Sequence, residues 1–137
     1  MSFEKIIEFT LLWEGGYSFD KSDPGGETHF GISKRAYPDL DIAGLTLEDV
    51  KLIYKRDYWD KVAKGEYDDL DMCAFDTCVN VGVNRTNKWL VLCKTWHELL
   101  NKREAHYRNI IIKNPALKKF EKGWLNRTNA LTKFIIG

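Results

Sequence analysis

Residues 11–33 read LLWEGGYSFDKSDPGGETHFGIS, and here a helical pattern gives way to one rich in turns. Apolar residues upstream recur at helical spacing, namely Phe3, Ile7 and Leu11. The spacing predicts an amphipathic helix that ends near Glu14, where two glycines tolerate the left-handed geometry of a helix end. Aromatic and β-branched residues then flank Asp-Pro-Gly-Gly, which predicts a short hairpin over residues 17–32.

Glu14 falls on or beside the apolar stripe of this predicted helix, three residues after Leu11. A carboxyl group half removed from water resists ionisation, as a general acid that works near neutral pH requires. The alternative is that Glu14 only ends the helix and points into solvent, as most charged side chains do. Glu14 is therefore a candidate proton donor.

Two aspartates, Asp20 and Asp23, follow Glu14 within the predicted hairpin region. The hairpin would fold back and bring an aspartate or Thr28 close to Glu14. Two carboxyls in unlike surroundings can divide acid and base roles, as in glycoside hydrolysis. The alternative for Asp23 is that it only shapes its own turn.

Helical patterns dominate the rest of the chain. Thr46 is predicted to begin a helix, and the run from Met72 to Val81 is apolar on nearly every side, which predicts a buried central helix. Asp76, a polar exception in that run, is expected to make a buried hydrogen bond or ion pair. Farther on, apolar spacing predicts helices over residues 84–101 and 102–112.

Length and composition favour one globular domain over residues 1–137, since the chain is 44% hydrophobic and 30% charged. No apolar run approaches the roughly 20 residues that span a bilayer. The three cysteines are odd in number and are expected to be buried thiols rather than a disulfide framework. The three histidines have no metal-binding spacing, and no metal or organic cofactor is expected.

The net charge of +1 conceals an asymmetry along the chain. Residues 1–70 carry 9 Lys or Arg and 15 Asp or Glu, whereas residues 71–137 carry 12 and 5. A basic half could favour an anionic wall surface or nucleic acid. The alternative is solvated helix faces, some of them paired with the acidic half, and nucleic-acid binding is not expected.

Three separated stretches resemble glycoside hydrolase family 108, the phage and bacterial N-acetylmuramidases with a lysozyme-like fold. They are EGGY, DPGGET and FGIS within residues 14–33, FDTCVNVG at 75–82 and FEKGWLNR at 120–127. The resemblance implies a mainly α (α+β, lysozyme-like) fold, with a small β-hairpin lobe, a larger helical lobe around the central helix and a cleft between them. It also implies that Glu14 is the catalytic acid. The order Glu, Asp, Thr is similar to that of small phage lysozymes, which suggests Asp23 and Thr28 as its catalytic partners.

The reaction implied by the resemblance is hydrolysis of the β-1,4 bond between N-acetylmuramic acid and N-acetylglucosamine in peptidoglycan, in cell-wall lysis by a phage endolysin. The alternatives are a lytic transglycosylase and a non-catalytic wall-binding or virion structural protein. Four further residues are predicted to contact the glycan, namely Tyr17, Asp20, Tyr58 and Asn80. Tyr58 could instead pack in the core, and Asn80 could instead cap its helix before Gly82.

Two expectations concern how the protein reaches and holds its substrate. The start of the chain lacks the basic and apolar regions of a secretory signal, so we expect synthesis in the host cytoplasm and action on the wall or periplasm after holin-type release or virion delivery. Family members often carry a longer segment, resembling a peptidoglycan-binding module, where this chain has only residues 83–121. That segment has room for two or three helices, and substrate affinity is expected to depend on the cleft alone.

Overall fold

The structure, a computed structural model, describes residues 2–20, 22 and 25–137. The α-helices are α1 (Ser2–Glu14), α2 (Leu47–Tyr54), α3 (Asp60–Val62), α4 (Asp68–Val81), α5 (Val83–Leu92), α6 (Trp96–Lys113) and α7 (Glu121–Ile136). A π-helical segment, Lys55–Trp59, joins α2 to α3, and a 3-10 helix, Pro115–Phe120, precedes α7. Within the described ranges, no helix combines the length and the apolar character that a membrane crossing needs.

A small antiparallel sheet holds β1 (Ser18–Phe19), β2 (Glu27–His29) and β3 (Ile32–Ser33) in the order β1-β2-β3. It has one strand more than the predicted hairpin, because the chain turns again between β2 and β3. Phe30 and Gly31 form that turn with φ of 52° and 79°, and His29 pairs with Ile32 across it. Positive φ at both turn residues is the geometry of a two-residue hairpin whose twist matches its strands.

Helix α4 lies at the centre of the helical lobe, as the apolar run from Met72 to Val81 predicts. Residues 73–78 are all buried, and α4 packs against α1, α5, α6 and α7. Its neighbours contribute fully buried apolar side chains from three helices, among them Ile6, Leu99 and Leu131. The mainly α architecture with a small β lobe is therefore confirmed, and so are the three buried free thiols.

Side-chain capping hydrogen bonds mark the first residues of α2 and α6. Thr46 caps α2 in a capping box, in which its hydroxyl accepts from Asp49 N and its own N–H donates to the Asp49 carboxylate. The predicted helix over residues 84–101 is wrong, since α5 ends at Leu92 and α6 starts at Trp96. Thr95 caps α6 by accepting from Glu98 N, and this local cap overrides a continuous apolar spacing.

Candidate active site

Glu14 is the last residue of α1 and lies where the β lobe meets the helical lobe. Its Oε2 accepts a hydrogen bond of 2.6 Å from Arg127 Nη1 of α7, and its side chain is 20% exposed. The carboxylate therefore does not point into bulk water. Its setting also differs from the predicted apolar one, because a residue 113 positions away in the chain supplies a charged partner.

Arg127 is held in place by Asp76 of the central helix. Arg127 Nη2 donates to Asp76 Oδ1 at 2.8 Å and Nε donates to Oδ2 at 3.2 Å, while a third nitrogen reaches Glu14. Burial opposes the charge of Arg127, but the carboxylates of Asp76 and Glu14 raise its pKa above the ordinary value. The guanidinium therefore stays charged and fixes the Glu14 carboxylate relative to α4.

Asp76 is fully buried and collects donors from three helices. Besides Arg127, it accepts from Thr10 Oγ1 of α1 at 2.8 Å and from Arg103 Nη1 of α6 at 2.9 Å. Burial alone would raise the pKa of Asp76, but Arg103 and Arg127 hold it below the ordinary value. The predicted buried ion pair of Asp76 is confirmed, and we call Thr10, Asp76, Arg103 and Arg127 the Asp76 cluster.

Asn80 lies one turn beyond Asp76 on α4 and is connected to the same cluster. Arg103 Nε donates to Tyr107 Oη at 2.7 Å, and Tyr107 Oη donates to Asn80 Oδ1 at 2.5 Å. The Tyr107 ring also stacks on Trp124 of α7, with ring centroids 4.9 Å apart. These contacts orient the half-buried Asn80 amide through its oxygen. At the end of α4, it is the backbone N–H of Gly82 that donates to Cys78 O.

On the opposite side of Glu14, the β2–β3 turn approaches it closely. Tyr54 Oη of α2 donates to Phe30 O at 2.7 Å, which ties the turn to the helical lobe. Burial raises the pKa of Tyr54, and the charge of Glu14 adds to the rise. Tyr58, a predicted substrate contact, is half-buried and packs against Tyr54 with ring centroids 5.1 Å apart. Tyr58 therefore lies in the neighbourhood of Glu14.

Two other predicted glycan contacts make local interactions in the β lobe. The Tyr17 hydroxyl donates to the Glu27 carboxylate, and the Tyr17 ring lies 5.6 Å from that of His29. Asp20 accepts from Ser22 N at 2.9 Å and Ser22 Oγ at 2.7 Å, and these bonds lower its pKa. The Asp20 carboxylate is thus engaged in its own turn rather than with Glu14.

The two predicted partners of Glu14 have different outcomes. Asp23 lies outside the residues that the structure describes. Thr28 is in the central strand opposite Ser18 and Ser33, so these three side chains share one sheet face, and the buried Ile32 is on the other. In the described part of the chain, the hydrogen bond of the Glu14 carboxylate goes to Arg127 and not to Thr28.

The approach of the turn to Glu14 requires a glycine at position 31. A Cβ on Gly31 would lie 2.5 Å from Tyr54 Oη and 2.7 Å from Glu14 Oε1. We expect Gly31→Ala to displace the Glu14 carboxylate and to abolish most of the glycan hydrolysis that the sequence resemblance implies. The positive φ of 79° adds a backbone cost of roughly 1–2 kcal/mol. Thermal denaturation would measure the loss of stability, and clearing of a suspension of peptidoglycan, the substrate that the resemblance implies, would measure the loss of activity.

Gly65→Ala is the matched control for this substitution. Gly65 has a φ of 80°, but a Cβ there would meet no atom within 4 Å. We expect a similar loss of stability in both variants and a much larger loss of activity in Gly31→Ala. Equal activity of the two variants would show that contact between the turn and Glu14 is not needed.

Comparison with protein-family models gives a match to Glycosyl hydrolase 108 over residues 7–82. The matched segment covers more than half of the chain and includes Glu14, the β lobe and Asp76. The chain belongs to glycosyl hydrolase family 108. It is therefore a glycoside hydrolase with a glycan substrate, and the family supports a function in peptidoglycan hydrolysis.

A solved structure extends the likeness of this family 108 hydrolase beyond the matched segment. The protein is similar to SagA of Brucella abortus, with 25% sequence identity and a TM-score of 0.74. The superposition covers 98% of this chain and 93% of that one, so it extends well beyond residue 82 into the helices that follow α4. The predicted lysozyme-like fold is confirmed. A search of curated proteins gives no match.

Three surface cavities in the described part of the family 108 hydrolase have volumes of about 770, 550 and 390 Å³, and Glu14 lines none of these three. The cleft predicted between the two lobes is therefore not among these cavities, and the 20% exposure of the Glu14 side chain is the access that the structure shows. Across residues 2–20, 22 and 25–137, no three His, Cys, Asp or Glu side chains are grouped in a way that could hold a metal ion.

Proposed function

We propose that this hydrolase is an N-acetylmuramidase that cleaves the β-1,4 bond between N-acetylmuramic acid and N-acetylglucosamine, with Glu14 as general acid. The position of Glu14 is the observation that carries the proposal. Its partly exposed carboxylate lies between the β2–β3 turn and α7, fixed on both sides and still accessible to a ligand. A general acid needs this combination of fixed geometry and access to the leaving oxygen.

The proposed mechanism requires Glu14 to exchange its ion pair for a proton. Protonation of the leaving oxygen needs a neutral carboxyl, whereas the hydrogen bond from Arg127 is made to a carboxylate. Arg127 donates to Asp76 through two other nitrogens, so Nη1 can leave Glu14 while the buried pair persists. In this mechanism, a sugar ring seated beside Glu14 displaces the Nη1 contact and shields the carboxyl from water, which favours its protonated form.

Asp23 and Thr28 are the proposed partners of Glu14 on the β lobe. Asp23 would support the positive charge that develops on the sugar or would position the attacking water, and Thr28 would hold that water. Support for this part comes from the order of the residues and from the position of Thr28 in β2, the strand that leads directly into the turn beside Glu14. In this proposal the protein lyses the bacterial wall as a phage endolysin.

The products of digestion test the proposed reaction. Purified peptidoglycan is digested with the wild-type protein, and the fragments are analysed by mass spectrometry. We expect reducing N-acetylmuramic acid ends, each carrying one added water, because a hydrolase transfers the glycosyl unit to water. Digestion in H₂¹⁸O should add 2 mass units to each new end, which an intramolecular reaction cannot do.

Other product ends would change the assignment. Anhydro-muramic ends would identify a lytic transglycosylase, which uses the acid but no water. New reducing ends on N-acetylglucosamine would place the cut at the other glycosidic bond. Absence of any cleavage, with wall binding retained, would support a non-catalytic wall-binding protein.

A further inference from the structure

The largest of the three cavities lies far from Glu14, between the amino-terminal ends of α4 and α6. Its volume of about 770 Å³ falls in the range of small-ligand sites, roughly 300–1,000 Å³. We call it the α4–α6 cavity, and the lining residues that matter here are Lys64, Tyr67, Asp69, Lys94, Trp96 and His97.

The two helices separate this cavity from the candidate active site. Asp69 precedes Asp76 on α4 by about two turns, which is roughly 10 Å along the axis. Trp96 precedes Arg103 on α6 by the same distance, and both Asp76 and Arg103 belong to the cluster that holds Arg127 on Glu14. A ligand in the α4–α6 cavity would thus leave Glu14 free.

Aromatic rings line the cavity in two places. Tyr67 is 60% exposed, so its ring is accessible to a ligand in the cavity. Trp96 is buried, and the exposed His97 ring stacks on it with centroids 3.7 Å apart and an interplanar angle of 28°. Rings with one free face bind the apolar C–H faces of pyranose sugars, while their polar edges stay in water.

The loops that form the cavity walls are anchored by hydrogen bonds. Buried Asp71 accepts from the backbone N–H of Lys64 at 2.9 Å and of Gly65 at 3.0 Å, which fixes the loop that carries Tyr67. On the other wall, Glu98 Oε1 accepts from Lys94 N at 3.3 Å and from Thr95 Oγ1 at 3.2 Å. The cavity is therefore largely formed before a ligand arrives, which lowers the entropy cost of binding.

The polar groups around the rings carry both signs of charge. Lys64 and Lys94 face three carboxylates, those of Glu66, Asp69 and the buried Asp71, so the lining carries a small net negative charge. Such a lining offers both donors and acceptors and has no excess of positive charge, so it suits an uncharged ligand rich in hydroxyl and amide groups better than a phosphate or a nucleic acid. Aromatic faces together with mixed hydrogen-bond donors and acceptors are the chemistry that recognises an amino-sugar oligosaccharide.

We propose that the α4–α6 cavity is a second glycan-binding site, which holds part of the polymeric substrate away from Glu14. The choice of ligand rests on the proposed function. Occupation of this site tethers the enzyme to the wall, so that local substrate concentration at Glu14 rises without a separate binding module. The short segment after α4 led us to expect that substrate affinity depends on the cleft alone. With this second site, affinity would depend on both.

Titration of Glu14→Gln protein with N-acetylchitotetraose, followed by ¹H–¹⁵N NMR, tests the proposal. We expect amide and Trp96 indole shifts around the cavity as a set separate from shifts near Gly31 and Arg127. In the same background, Tyr67→Ala should weaken binding at the cavity about fivefold, the size of one aromatic contact. Tyr67→Phe should retain the affinity, because the ring is kept.

Ile112→Ala is the control, since Ile112 is 75% exposed at the far end of α6 and lines none of the three cavities. It should leave both sets of shifts unchanged. Absence of cavity shifts at millimolar tetraose would overturn the proposal, and so would equal cavity affinity in Tyr67→Ala and the parent protein. Neither result would contradict the proposed hydrolysis. Conversely, if the cavity bound the tetraose but the wild-type protein did not cleave peptidoglycan, the proposed hydrolysis would be wrong and the second site would still be supported.

Discussion

Glu14→Gln is expected to lower the rate of peptidoglycan hydrolysis by about 10²–10⁴-fold, the usual contribution of a general acid. Glutamine has nearly the shape of glutamate and its amide oxygen can still accept from Arg127 Nη1. It cannot deliver a proton to a leaving oxygen, so the proposed chemistry stops while the site stays assembled. Zymography and the release of reducing ends from purified peptidoglycan would measure the loss.

Glu8→Gln is the matched control on the same helix. Glu8 is exposed on α1, and in the described part of the chain its carboxylate is in none of the recorded ion pairs, so Glu8→Gln removes the same charge away from the site. Its activity should stay at the wild-type level, and both variants should keep wild-type circular dichroism. If Glu14→Gln cleared the wall as fast as Glu8→Gln, another group would have to donate the proton.

The parts of the site that the sequence predicts are those with local signals. The end of α1 at Glu14 follows from apolar spacing and the two glycines, and the burial of α4 from its apolar run. Arg127, the partner of Glu14, could not be predicted in this way. Which residue of α7 faces α1 depends on the packing of two helices that are far apart in sequence. Only the FEKGWLNR match marked residues 120–127 as a candidate region.

Arg103 carries no comparable signal in the sequence. It lies in the polar run Asn-Lys-Arg-Glu, which is typical of a solvated helix face, and yet its side chain is fully buried. The predicted break between residues 101 and 102 also placed it at a helix start rather than in the middle of α6. Burial of an arginine needs a carboxylate on another helix, and only the three-dimensional packing shows that Asp76 supplies it.

Asp76→Asn is expected to lower the free energy of unfolding by about 3–5 kcal/mol, the usual effect of removing one partner from a buried ion pair. The variant keeps the size of the side chain but leaves Arg103 as a buried cation without its counter-charge and leaves Arg127 with Glu14 alone. Urea denaturation followed by circular dichroism would measure the change, with the slope checked for constancy. Activity should fall as well, because Arg127 loses the contact that holds it beside Glu14.

Asp60→Asn is the control for the electrostatic part of this effect. Asp60 pairs with Lys55 at 3.0 Å, but both side chains are about half exposed, so the expected loss is under about 1 kcal/mol. If the two substitutions cost the same, the buried cluster would contribute no more than a surface pair. A loss of activity without a loss of stability in Asp76→Asn would instead limit its role to positioning Arg127.

The pH dependence gives an independent check on the same carboxylate. Because Arg103 and Arg127 hold the pKa of Asp76 below its ordinary value, the stability that Asp76 contributes is present above the unfolded pKa of about 3.9. It is lost as the pH falls through the lower pKa of the folded state. The advantage of wild type over Asp76→Asn should therefore be constant from neutral pH to about pH 5 and shrink in more acidic solution. An advantage that stayed unchanged down to pH 2 would mean that hydrogen-bond geometry, rather than charge, is what Asp76 contributes.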